Sequence, residues 1–122
     1  MITDTRFVIA VPDLEKSANF YRDALGFQIV DMDDPGWRMF VRDGFRIMAG
    51  HCPDAIPPAE LGDHSYFAYF VVDDADAEFN RLKSADVEII KPIRSEIWRM
   101  REFGIRTVDG HRIMFGQRLG AS

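Results

Sequence analysis

Few residues in this chain are of types that carry out chemistry. Three histidines, His51, His64 and His111, are enough for a zinc site, but one ends an apolar run, one lies in a proline-containing stretch and one follows an Asp-Gly pair. Metal ligands need a shared face and supporting hydrogen bonds, so these three read as surface or strand-end histidines. Cys52 is the only cysteine. It cannot close an internal disulfide, reads as a small loop residue rather than a nucleophile, and fits a reducing, cytoplasmic setting. No glycine-rich phosphate loop, nucleophile-elbow serine or Cys-x-x-Cys pair is present. Glu102, in an Arg-Glu-Phe triplet, is the best polar handle: it either attracts a cation or pairs with Arg99 or Arg101. Arg6 either holds an anionic group or meets a carboxylate such as Glu102. The acidic group Asp73, Asp74, Asp76 and Glu78 reads as charge that caps and solvates a helix N-terminus.

These residues must be positioned by secondary-structure elements, and the pattern gives them. Arg6 to Val11 is apolar and β-branched, Pro12-Asp13 ends it, and Asp13 opens a helix in which Leu14, Ala18, Tyr21 and Leu25 share a face up to Gly26. Strands follow at Phe27 to Met32, Trp37 to Arg42 and, after the Asp43-Gly44 hairpin signal, Phe45 to Gly50. His51 to His64 reads as a long connection. The order then recurs: a strand to Val72, caps at Asp73-Asp74, a helix with Ala75, Phe79 and Leu82 on one face, and strands at Val87 to Ile93, Trp98 to Thr107 and Arg112 to Gln117. The expected organisation is α+β: one domain over residues 1–122, with a βαβββ module at about 5–51, a connection at 52–64 and a second module at about 65–118.

The duplication is visible in the residues themselves. D-G-F-R-I-M-A-G at 43–50 and D-G-H-R-I-M-F-G at 109–116 match at six of eight positions. W-R-M recurs at 37–39 and 98–100, and Val11/Val71, Asp13/Asp73 and Ile29/Ile89 match at an offset of 60. Two copies of this length mean a pseudo-symmetric pair of modules whose curved mixed sheets leave a cleft. Strand alternation turns Met48, Phe67, Tyr69 and Met114 into that cleft, a thioether and aromatic lining suited to a flat organic ligand. Trp98 and its repeat partner Trp37 either stack on such a ligand or are partly buried in the fold or an interface.

Composition excludes several function classes. With 47% hydrophobic residues and 122 residues in all, the chain builds one globular core. The formal net charge of −5, with no basic stripe, argues against nucleic acid. No apolar run approaches the roughly 18 residues of a membrane span, and MITDTRFVIAV lacks a signal-peptide pattern.

Two stretches resemble the glyoxalase and bleomycin-resistance group, the vicinal oxygen chelate superfamily: V-P-D-L-E-K-S-A-N-F-Y-R-D-A-L-G-F at 11–27 and W-R-M-R-E-F-G-I-R-T-V-D-G-H-R-I-M-F at 98–115. The second is similar to the tryptophan, Arg-Glu-Phe and Asp-Gly pattern of the bleomycin-resistance branch, except that Ile97 and Arg99 stand where Pro and Gly usually flank the tryptophan. The resemblance implies paired βαβββ modules and a homodimer. It also implies four metal-ligand positions for the enzymes of the group, which fall here on Arg6, Met48, Phe67 and Met114. None suits a hard or borderline divalent ion. The reading is therefore a binding protein without metal, cofactor or catalytic residues that sequesters a small aromatic or drug-like molecule using Trp98, Glu102, Met114, Met48, Phe67, Tyr69, Arg6 and Trp37. Its alternatives are a metal-dependent lyase or extradiol-type dioxygenase in which His51, His64 or Glu102 converge, and a scaffold whose cleft is filled by its own side chains.

Overall fold

The structure, a computed structural model, describes residues 1–61 and 65–120. It divides into two compact units, Met1–Pro57 and Pro58–Ser122. Each is built as a βαβββ module, the α+β organisation expected from the sequence.

In the first unit, β1 (Phe7–Val11) leads through α1 (Leu14–Asp23) to β2 (Gln28–Asp31), β3 (Trp37–Arg42) and β4 (Phe45–His51). The sheet order is β1-β4-β3-β2, with β1 parallel to β4 and the other pairs antiparallel. Asp13 is in extended conformation and accepts the Lys16 backbone N–H at 3.0 Å, which starts the helix. The helix lays Leu14, Ala18 and Tyr21 on the sheet, where the buried Tyr21 ring meets Phe40 at 4.6 Å and the Phe27 edge at 5.4 Å. Asp43 and Gly44 both have positive φ, at 49° and 86°, as a two-residue type I′ hairpin requires.

The second unit opens with a 3₁₀ turn at Pro58–Glu60, then β5 (Tyr66–Val71), α2 (Ala75–Ser84), β6 (Glu88–Ser95), β7 (Met100–Arg106) and β8 (Arg112–Arg118), in sheet order β5-β8-β7-β6. Its helix side is an aromatic stack: Phe103 lies on Phe115 at 5.3 Å and 13°, with the Phe79 edge 5.3 Å away on α2. Asp74 is the N-cap, accepting from Ala77 N–H at 3.0 Å, while the Gln117 side chain accepts from Ala75 N–H at 2.9 Å. Of the acidic group, Asp76 forks onto Arg101 on β7 and Glu78 pairs with Arg81. Asp13→Ala and Asp74→Ala should each lower stability by about 1 kcal/mol in urea titrations, the ordinary worth of a helix cap.

Strand pairing refines the internal repeat. Trp37 lies opposite Gly50 in β3–β4, and Glu102 lies opposite Gly116 in β7–β8. The D-G-x-R-I-M-x-G repeat is therefore structural, whereas the W-R-M repeat is not: Trp37 corresponds to Glu102, and Trp98 has no counterpart at Trp37. Asp13 corresponds to Asp74 rather than Asp73, while Ile29 and Ile89, opposite Phe40 and Ile105, do correspond. Trp98 is not in a strand. It sits in the β6–β7 turn, at the tip of a hairpin that reaches further than the β2–β3 hairpin of the first unit because β6 runs 8 residues where β2 runs 4.

Candidate functional site

In each unit the helix covers one sheet face, and strand alternation places a distinct set of residues on the other. In the second unit that open face carries Tyr69 on β5, Met114 and Gly116 on β8, Glu102 and Gly104 on β7, and Lys91 on β6. The β6–β7 register shifts on both sides of Lys91, and such bulges re-aim a side chain.

Glu102 is the centre of this face and is only 4% exposed. Its Oε1 accepts from the Tyr69 hydroxyl at 2.8 Å and from Trp98 Nε1 at 3.0 Å. Its Oε2 accepts from Lys91 Nζ at 2.5 Å, and Lys91 also reaches Glu96 at 3.1 Å. The Lys91 ammonium lies 5.7 Å from the Trp98 ring centroid. One carboxylate thus fixes a tyrosine, a tryptophan and a lysine, and the indole remains 58% exposed. The glycines make this possible: an added Cβ would stand 2.0 Å from Tyr69 Oη at Gly116, and 2.9 Å from Tyr66 Oη and 3.1 Å from Met114 Sδ at Gly104. The tyrosines therefore lie flat on the sheet.

The protonation states are fixed. Burial opposes the charge on Glu102, but bonds from Lys91, Trp98 and Tyr69 outweigh it and hold the carboxyl below the usual range. Burial also opposes the Lys91 charge, yet Glu102 and Glu96 push its ammonium up. Burial, with the bond to Glu102 and its charge, pushes the Tyr69 phenol well up. All three keep one state at neutral pH, so the cluster orients and stacks but does not shuttle protons.

Sequence reasoning is corrected at several points. The positive partner of Glu102 is Lys91, not Arg101, which forks onto Asp76 at 2.8 and 2.9 Å. Arg6 meets Asp4 at 3.2 Å. Phe67 does not continue the Tyr69 row: the β5–β8 register shifts between Tyr66 and Ala68, the Phe67 ring meets His111 at 5.6 Å, and Tyr66 takes the place beside Met114. His111 is buried rather than at the surface. Lys91 and Tyr66 were missed, although a lone lysine within V-E-I-I-K-P-I was a signal.

His111 gives a pH prediction. Burial lowers its imidazole, and its Nδ1 has no hydrogen-bond partner among the described residues. Its folded pKa is below the unfolded value near 6.5, so its contribution is complete above that pH and is lost as pH falls through the folded value. Urea midpoints should decline below about pH 6.5, and His111→Phe should flatten that part of the profile.

The first unit is arranged differently. Trp37 lies over Gly50, where an added Cβ would meet its ring at 2.8 Å, and Met48 receives Arg6 Nη1 at 3.7 Å on its Sδ. His51 ends β4; His64 lies outside the described residues. A hollow of about 400 Å³ opens on this face beside Arg6, Met39 and Arg46.

The geometry defines a βαβββ duplication in which each sheet has one face left open by its helix, and the sequence places it in a family. The Glyoxalase/Bleomycin resistance protein/Dioxygenase superfamily model matches residues 5–115, and the chain belongs to that superfamily. Among solved structures it is similar to TioX from Micromonospora sp. ML1 (19% identity, 96% of this chain and 99% of that one, TM-score 0.78). It is equally similar to TnmS3, an antibiotic binding protein from Streptomyces sp. CB03234 (22% identity, 97% of each chain, TM-score 0.78). A protein of unknown function from Agrobacterium tumefaciens str. C58 is 29% identical over 98% of this chain and 96% of its own, with TM-score 0.72. No curated protein matches the sequence.

The metal carried by enzymes of the superfamily does not fit the residues present. At the implied positions Arg6 directs a fixed positive charge onto Met48, Phe67 has no donor atom, and Met114 offers only a thioether. Among the described residues, no three His, Cys, Asp or Glu side chains gather into a group that could hold a metal.

Proposed function

We propose that this protein binds and sequesters a small, flat, largely apolar organic molecule without metal or cofactor. The observation that carries this reading is the buried Glu102 holding Tyr69, Lys91 and the exposed Trp98 as one preorganised wall. A fixed indole presents a large stacking surface at little entropic cost on binding. Charges locked by internal pairing leave that wall without a general acid or base, which favours binding over turnover. The likeness to TnmS3, described as an antibiotic binding protein, supports the same class of ligand. Met114 and Tyr69 are its neighbours on the sheet, and Arg6, Met48 and Trp37 belong to the corresponding face of the first unit.

The reading includes a homodimer in a reducing, cytoplasmic setting, supported by the exposed Val8 on β1 of the first unit and the free, exposed Cys52. No helix among the described residues is long and apolar enough to cross a membrane. Sedimentation should give twice the 14.0 kDa of one chain. The main test is calorimetric titration with 2-naphthol, where Trp98→Ala should weaken binding about tenfold through lost stacking. Stoichiometric uptake of Zn²⁺, Ni²⁺, Mn²⁺ or Fe²⁺ accompanied by lyase, epimerase or dioxygenase turnover would overturn the reading.

A further inference from the structure

We infer that the hollow on the first unit's sheet is a binding site for a molecule with an apolar body and one carboxylate, and that Asp4 occupies the carboxylate's place until that molecule arrives. The hollow measures about 400 Å³, within the range of small-molecule pockets and roomy enough for a two-ring aromatic. Val30, Met32, Met39 and Val41 give it an apolar lining, and Arg6 and Arg46 stand at its rim.

The two arginines are the unusual feature. Phe7 pairs with Ile47, so Arg6, immediately before β1, lies beside Arg46 on β4, where like charges repel. A single carboxylate bridges them: Asp4 Oδ2 accepts from Arg6 Nε at 3.2 Å, and Asp4 Oδ1 accepts from Arg46 Nη1. That is the geometry by which two guanidinium groups would receive a ligand's carboxylate. Asp4 precedes β1 in a segment without regular secondary structure and is exposed, so its release breaks no strand pairing and opens no core. Asp31 at the rim is already paired with Arg38 at 3.2 Å. With Asp4 gone, the two arginine charges outnumber the remaining rim charge of Asp33.

This goes beyond the stacking wall of the second unit, because it assigns another surface and a defined ligand charge. The test is calorimetric titration of the full chain with 2-naphthylacetate and with its neutral amide. The acid should bind at least about tenfold more tightly than the amide, and Arg6→Gln or Arg46→Gln should remove most of that difference. Asp4→Asn should tighten the acid about three- to tenfold and leave the amide unchanged, since an occupied site reduces apparent affinity by the fraction that is free. Equal affinity for acid and amide, no acid binding, or an Asp4→Asn variant that binds the acid no better would each overturn the proposal. The readout is the acid-to-amide ratio, so its failure is distinct from failure of the stacking wall, which is measured with neutral 2-naphthol.

Discussion

Replacing Glu102 with glutamine should destabilise the protein by about 2 kcal/mol, and replacing it with leucine should cost more and weaken 2-naphthol binding about tenfold. Glutamine keeps an acceptor for Tyr69 and Trp98 but leaves Lys91 half-buried with only Glu96 as counter-charge. Removing one partner of a fully buried pair costs about 3–5 kcal/mol, and the partial exposure of Lys91 together with Glu96 brings this case to the lower figure. Leucine removes the acceptor as well, releasing both rings of the wall. Urea unfolding and calorimetry read the two effects separately; a leucine variant that binds 2-naphthol as tightly as the parent would show that Glu102 does not organise the wall. The pH dependence has a definite sign. The folded Glu102 pKa is depressed, so its stabilisation is complete above the unfolded carboxylate range and is lost as pH falls through the folded value. Lys91 and Tyr69 are raised, so their contributions are complete below their unfolded values near 10 and fade at more alkaline pH. In Glu102→Gln both limbs should flatten relative to the parent.

Much of the fold was legible because its signals are local. Asp13 caps its helix through a residue three positions along, and Asp43-Gly44 turns its hairpin through its own φ angles. The misreadings arose where correct pairing depends on distant register. W-R-M recurs as letters, but the second hairpin loop carries one more residue than the first, Thr107 N–H bonding His111 C=O across Val108-Asp109-Gly110. Strand β6 is also longer than β2, 8 residues against 4, so equal spacing in sequence does not give equal position in the sheet. Glu102 could be singled out from its Arg-Glu-Phe triplet, yet its partner could not. Lys91 reaches it only because bulges redirect β6, and bulges leave little trace in a single sequence. The direction expected of Phe67 changes for the same reason, one residue of irregularity exchanging its place with Tyr66.

Gly116→Ala tests whether the tyrosine's position is set by the missing side chain opposite Glu102. The new Cβ would lie 2.0 Å from Tyr69 Oη and 2.6 Å from its Cζ, so the ring must leave the sheet. With it goes the hydrogen bond to Glu102, and bonds to a charged group are worth about 1.5–3 kcal/mol. Tyr69 has open space on its solvent side, so the ring swings out instead of forcing the strands apart, and the expected total is about 2 kcal/mol. Tyr69→Ala removes the clash, and in that background alanine at 116 should be neutral or slightly stabilising, because glycine inside a strand carries an entropic cost. The double-mutant cycle should then show a coupling of about 2 kcal/mol. Equal costs for Gly116→Ala in both backgrounds would mean that the glycine serves the backbone and not the ring. A large coupling accompanied by weaker 2-naphthol binding in the single variant would tie the sheet's bare glycine directly to the stacking surface it supports.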